Sequence, residues 1–201
     1  MKTLVKIFLF SAFFSLSVGQ VTDGTELLQE LQEKYKTIDD FTSSFRQSTK
    51  TGHVVTGEFY YKAKDKFRIE LDSRTIVSDG ETVWNYTPKN NKVIITTADD
   101  KVNSFSIEDY VFNFPEKCKV GEILNDDGNK ILLLKPNSSE LDFKEVKLMI
   151  NESSLIDEIE LTDLMDNVYR VELKNTKINQ SLGDKYFTFE IPQGTQIIDL
   201  R

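Results

Sequence analysis

Apolar residues first recur at helical spacing. Leu27, Leu31, Tyr35 and Ile38 make one apolar face over about four turns. Asp23-Gly24-Thr25-Glu26 before them reads as a capping box, with Asp23 at the N-cap and Glu26 three residues on. The period then falls to two. Phe41, Ser43 and Phe45 alternate with polar residues, Phe59 and Tyr61 oppose Glu58, Tyr60 and Lys62, and Phe67, Ile69 and Leu71 oppose Arg68, Glu70 and Asp72. Further strand-like runs are Thr75–Ser78, Thr82–Tyr86, Lys92–Thr97, Lys130–Lys135, Glu145–Ile150, Leu155–Thr162, Asn167–Asn175 and Tyr186–Ile191. Turn residues separate them at Asp79-Gly80, Asn90-Asn91, Asp126-Asp127-Gly128-Asn129 and Asn137-Ser138-Ser139. Roughly ten or eleven short strands at hairpin spacing predict a mainly β (α+β) chain built on one antiparallel sheet, strongly curved or nearly closed.

Two segments break the β pattern. Asp99–Phe114 (DDKVNSFSIEDYVFNF) offers Ser106 as an N-cap with Asp109 three residues later, and crowds apolar groups too irregularly for a strand. It predicts a short helical insertion which, with the leading helix, packs on the sheet. The extreme N-terminus, MKTLVKIFLFSAFFSLSVGQ, is set aside: Lys2 and Lys6 precede an apolar run over Ile7–Phe14, and Ser17-Val18-Gly19 supplies small residues at a cleavage site. Residues 1–19 are therefore expected to be a secretory signal peptide and 20–201 a single mature domain, exported and carrying no lipid, since Gln20 rather than a cysteine follows the cut.

Charge and chemistry narrow the function. The formal charge of −8 becomes more negative once Lys2 and Lys6 leave, which argues against nucleic acid and anionic lipid surfaces as partners. His53 is the lone histidine and Cys118 the lone cysteine, so neither a zinc site of nitrogen and sulfur ligands nor a disulfide can be assembled, and no cofactor is implied. A Ser/His/Asp site would have to use His53, which sits between Gly52 and Gly57 in a hairpin connection. The chain therefore reads as a binder rather than an enzyme; a hydrolase using paired carboxylates has no motif behind it. Aromatic residues make up 11 % of the chain. They can fill an ordinary core, or line the greasy cavity that a curved sheet under a helical cover encloses.

Four stretches carry a resemblance. IVSDGETVWNYTP (76–88), FTSSFRQ (Phe41–Gln47), GEFYYKAKDKFRIE (Gly57–Glu70) and FTFEIPQGTQIID (Phe187–Asp199) resemble, in family order, segments of LolA, the periplasmic lipoprotein carrier of Gram-negative bacteria. The resemblance spans about residues 22 to 200. It implies an incomplete antiparallel β-barrel covered by helices, with an apolar cavity for lipoprotein acyl chains. The cavity-wall candidates are Phe59, Tyr61, Phe67, Ile69, Trp84, Tyr86 and Ile95; the lid candidates are Phe105, Ile107, Tyr110, Val111, Phe112 and Phe114. The implied partners are acylated lipoproteins, an inner-membrane ABC lipoprotein-release transporter and, as a further candidate, an outer-membrane receptor, with the carrier acting as a monomer. The same fold could instead carry or sense another exported lipid or glycolipid. One departure stands out. Where the family has Arg-Pro, and uses the arginine to hold the lid through its backbone, this chain has Ala63-Lys64.

Overall fold

The computed structural model describes residues 21–98, 106–124 and 130–201; the expected leader, Phe105 and the Asp126–Asn129 turn lie outside the described residues. Among the described residues thirteen strands form one sheet, most of them where the chain alternates. They are β1 (Val21–Asp23), β2 (Asp40–Thr49), β3 (Val54–Lys62), β4 (Lys66–Leu71), β5 (Arg74–Asp79), β6 (Thr82–Thr87) and β7 (Lys92–Thr97), followed by β8 (Cys118–Leu124), β9 (Lys130–Pro136), β10 (Phe143–Ile150), β11 (Ile156–Asp163), β12 (Val168–Ile178) and β13 (Gln196–Asp199). The spatial order is β1-β8-β9-β10-β11-β12-β2-β3-β4-β5-β6-β7-β13. Every neighbouring pair is antiparallel except β13, which lies parallel to β7. The sheet is open, with β1 and β13 at its edges, so the barrel is incomplete as expected.

The expected strand at Tyr186–Ile191 does not form. Asp184–Phe187 is instead a 3₁₀ turn, and the edge strand follows at Gln196–Asp199. Tyr186, Phe187 and Phe189 lie against a sheet surface rather than pairing within it. Helix α1 (Thr25–Lys36) forms where predicted, but Gly24 rather than Asp23 is its N-cap residue. Asp23 belongs to β1, and its carboxylate accepts from the Thr25 amide and hydroxyl at 2.9 and 2.6 Å. A Cβ on Gly24 would stand 2.6 Å from the Gly121 carbonyl carbon, so glycine lets the chain pass directly from the edge strand into the helix.

Directly paired residues share a face of the sheet. One face gathers Phe41, Phe45, Phe59, Tyr61, Phe67, Ile69, Val83, Leu132, Leu134, Val146, Leu148, Ile159, Val171 and Leu173 into a single buried cluster. Leu27, Leu31 and Tyr35 of α1, with Ile38 just beyond its end, pack into the same cluster, as their spacing predicted. A helical stretch over residues 107–116, α2, lies beside α1 on this concave face and contributes Ile107 and Val111. Each fully buried large apolar side chain here contributes about 1.5–3 kcal/mol.

Candidate functional site: the lidded concave face

Register decides which candidates meet. Phe59 pairs with Ile69 and Tyr61 with Phe67 across β3 and β4, and Phe41 pairs with Tyr61 across β2 and β3. These rings form one layer. Phe41 stacks on Tyr61 at a centroid distance of 4.9 Å and meets Phe59 edge-on at 5.4 Å. Four of the seven wall candidates (Phe59, Tyr61, Phe67 and Ile69) therefore line the concave face.

The other three do not. Val77 pairs with Trp84 and Trp84 with Ile95, while Thr75 pairs with Tyr86 and Tyr86 with Val93. Phe67, on the concave face, pairs with Ser78, and Ser78 with Val83. Trp84, Tyr86 and Ile95 fall on the alternate positions, so they face the opposite, convex side. There the C-terminal segment covers them. Phe187 is buried, Tyr86 lies 5.5 Å from Phe189, Tyr60 stacks on Tyr186 at 5.3 Å, and Lys62 reaches Asp184 at 2.8 Å. A single wall of seven is thus two layers back to back. The Asp79-Gly80 hairpin forms, with the Asp79 carboxylate accepting the Glu81 and Thr82 amides and Trp84 set opposite Val77; it is the register of β5 on β4, with Phe67 opposite Ser78 and Arg68 opposite Val77, that sends Trp84 to the convex side.

The lid candidates among the described residues all lie in α2. Ile107 and Val111 are fully buried, while Tyr110, Phe112 and Phe114 are half-buried against the core. Phe114 meets Tyr110 at 5.3 Å and Phe143 at 5.2 Å, both edge-on. Burial pushes the Tyr110 hydroxyl up to about 12. The Ser106 hydroxyl oxygen accepts the Asp109 amide, the cap the sequence predicted. The middle of α2, Asp109–Asn113, winds as a π-helix, with the Phe114 amide bonded back to the Asp109 carbonyl. Pro115 has no amide to offer the Val111 carbonyl four residues earlier. Gln32 of α1 donates its side-chain amide to that carbonyl instead, at 3.0 Å.

At its first turn α2 is clasped to the hairpin between β3 and β4. One oxygen of the Glu108 carboxylate accepts both the Tyr61 hydroxyl at 2.8 Å and the Lys64 amide at 3.1 Å. The Ser106 hydroxyl donates to Asp65 at 3.0 Å. Lys64 and Asp65 both adopt left-handed backbone conformations, as a tight hairpin requires. Burial first, and then the bond it donates to Glu108, push the Tyr61 hydroxyl far above its ordinary range. Ala63 makes no side-chain polar contact, and its amide donates to the Asp39 carbonyl. The lid contacts the expectation placed on an arginine therefore come from other residues: Tyr61 and Lys64 of the sheet donate to Glu108 of the lid, and Ser106 of the lid donates to Asp65 of the hairpin. Neither Glu108 nor Gln32 was singled out from sequence, because each is one polar residue on a helix with no local motif.

The two reactive side chains stand apart from this face's chemistry. His53 is exposed in the connection from β2 to β3, and Cys118 is buried in β8, where burial pushes its thiol up to about 11. Among the described residues no cluster of three or more His, Cys, Asp or Glu side chains is placed to hold a metal ion.

Comparison with known proteins agrees with this architecture. The chain is 25% identical to the outer-membrane lipoprotein carrier protein of Azotobacter vinelandii, over 97% of this chain and 98% of that one. It is 26% identical, over 97% of its own length, to an uncharacterized protein of Methanocaldococcus jannaschii, of which it spans 59%. Among solved structures, an uncharacterized conserved protein from Thermus thermophilus shares the fold with a TM-score of 0.57 at 16% identity, covering 87% of this chain and 97% of that one. Residues 36–190 match the family described as outer membrane lipoprotein carrier protein LolA, and the chain belongs to that family.

Proposed function

We propose that this protein is a non-enzymatic carrier that shelters the acyl chains of lipid-modified proteins on the concave face and ferries them across the periplasm toward the outer membrane. The observation that carries the proposal is an apolar layer whose cover is attached differently from the layer itself. The ring layer of β2, β3 and β4 is fixed by strand register, whereas α2 is held over it by apolar contact and a few polar bonds at Glu108, Ser106 and Gln32. Each methylene left in water costs about 0.8 kcal/mol, so an acyl chain can cross an aqueous space only under such a cover. Aromatic and branched side chains can shelter chains of varied shape. The residues proposed to contact the chain are Phe59, Tyr61, Phe67 and Ile69, with Ile107, Tyr110, Val111, Phe112 and Phe114 forming the lid. Loading by an inner-membrane ABC transporter and delivery to an outer-membrane receptor complete the proposed cycle.

The test is to purify the chain from the envelope of its native cell and identify bound material by mass spectrometry. An acylated polypeptide at about one per carrier is the expected result. A bound glycolipid without polypeptide would replace the cargo, and a carrier that neither co-purifies with nor takes up acylated material would overturn the proposal.

A further inference from the structure

The two ends of the concave face are finished differently. The end formed by the 63–65 hairpin is polar and closed. There Glu108 clasps α2, and Asp40, almost wholly buried, accepts the Gln180 and Leu182 amides at 2.7 and 2.9 Å. At the opposite end stand the 50–53 and 164–167 hairpins, joined by a bond from the Lys50 amide to the Val168 carbonyl. At the tip of the second hairpin Leu164 is 56% and Met165 78% exposed.

That tip is rigidly built. The Asp163 carboxylate accepts the Met165 amide, the Asn167 amide and the Asn167 side chain, each at 2.8 Å. A turn this well satisfied has no structural need for two large apolar residues at its apex. Inward of the tip, past the polar Asp163 and Asn167, Leu161, half-buried, pairs with Tyr169, 36% exposed, and the next pair on that face, Ile159 with Val171, is already in the core. Exposed apolar residues are ordinary when scattered; two at the apex of a hairpin whose strands lead from a half-exposed pair into the core are less so.

We propose that this end is the port through which an acyl chain passes between a membrane and the concave face, with Leu164 and Met165 as its outer lip and Leu161 and Tyr169 as its threshold. The inference rests on the carrier reading and adds the chain's route to it. A convex apolar apex suits a soft occupant such as a hydrocarbon chain, which is long enough to lie on Leu164 and Met165 while its end, beyond Asp163 and Asn167, reaches Leu161 and Tyr169. The clasped end offers no such path.

The experiment uses stearate brominated in mid-chain, a heavy-atom quencher of tryptophan emission. The chain has one tryptophan, Trp84, which lies on the convex side and serves as the control. Two reporters, Tyr169→Trp and Met165→Trp, are made in a Trp84→Phe background. Saturating bromostearate is expected to quench both reporters by about twofold while leaving Trp84 of the unaltered chain unaffected. Because Trp84→Phe could perturb folding, a second measurement keeps Trp84. Met165→Asp should slow uptake of a fluorescent fatty acid from phosphatidylcholine vesicles by about tenfold with little change in affinity at equilibrium. Calorimetry that finds stearate bound while the reporters stay silent, or uptake that Met165→Asp leaves unchanged, overturns the port and leaves the carrier reading standing. Failure to bind stearate at all removes both.

Discussion

Strands β3–β7 and strands β9–β12 belong to one sheet and share one concave core, yet their convex surfaces are opposites. Behind β3–β7 lie Val77, Val93 and Ile95, all buried, together with Phe187 of the covering C-terminal segment, and Trp84 and Tyr86 are half-buried beside them. Behind β10–β12 and β2 runs a ladder of charges facing water. Lys147 bonds Glu160, Arg170 bonds both Glu160 and Glu158, and Arg46 and Lys174 hold Glu172. A sheet solvated on one face needs only one apolar set, and alternation then names it. A sheet covered on both faces carries two, and alternation alone does not say which is which.

That difference governed what could be read from the residues. In β10–β12 the positions alternating with Val146, Leu148, Ile159 and Val171 are charged at Glu145, Lys147, Glu158, Glu160, Arg170 and Glu172, so the concave set stands out unaided. In β5–β7 the convex positions Val77, Trp84 and Ile95 are as apolar as the concave Ile76, Val83 and Ile94, so Trp84, Tyr86 and Ile95 were placed with the wrong layer. Fixing them needs the register with β4, a non-local fact. The leading helix, most strands and the Ser106 cap were legible because each rests on local spacing. Strands β1 and β13 were missed because edge strands of three and four residues have too little pattern to detect, and β8 because Glu122 breaks the alternation set by Cys118 and Val120 and Ile123 lies next to Leu124. The Glu108 clasp joins residues more than forty positions apart.

The two convex halves should respond very differently to loss of one side chain. The largest effect is expected for Phe187→Ala, since Phe187 is 1% exposed beneath the sheet. Removing it should destabilise the protein by about 3–5 kcal/mol, a fall in melting temperature on the order of 10 °C. Acyl-chain affinity of the folded protein should not change. A loss of affinity at a temperature where the variant remains folded would place the convex layer in the binding site.

Next comes Trp84→Lys, expected to cost about 1–3 kcal/mol, less than Phe187→Ala because Trp84 is only half-buried and a lysine can extend toward water. Its acyl-chain binding should match the unaltered chain. Binding lost with the melting temperature preserved would return Trp84 to the cavity wall and refute the two-layer arrangement.

Glu108→Ala acts on the concave side and should matter less to global stability. It removes the acceptor of two hydrogen bonds, one from a buried tyrosine, at about 1–2 kcal/mol. The effect should concentrate in α2: amide exchange at Ile107 and Val111 is expected to quicken by about tenfold while exchange in β9 and β10 stays near its original rate. Glu108→Gln keeps the oxygen acceptor and should lie between the two. Uniform acceleration across the sheet would show the bonds supporting the fold as a whole rather than the cover.

The smallest effect belongs to the charge ladder. Arg170→Ala should lower stability at neutral pH by at most about 1 kcal/mol, because water screens these partly exposed pairs. The pH dependence gives the sign. Burial alone would raise Glu160, but bonds from Arg170 and Lys147 hold it below the ordinary 4.5, so its contribution is present at neutral pH and is lost as pH falls through its lowered folded value. Burial raises Glu158 above that value despite Arg170, so its contribution has the opposite sign and acidification relieves it. The two partly cancel. Urea midpoints of the unaltered chain and Arg170→Ala, measured at neutral pH and again near pH 3, should converge at the lower pH, where the carboxylates that Arg170 pairs with become protonated. A difference at neutral pH as large as that of Phe187→Ala would mean the ladder ties its half of the sheet as firmly as the covered aromatic layer ties the other, and the contrast between the two halves would fail.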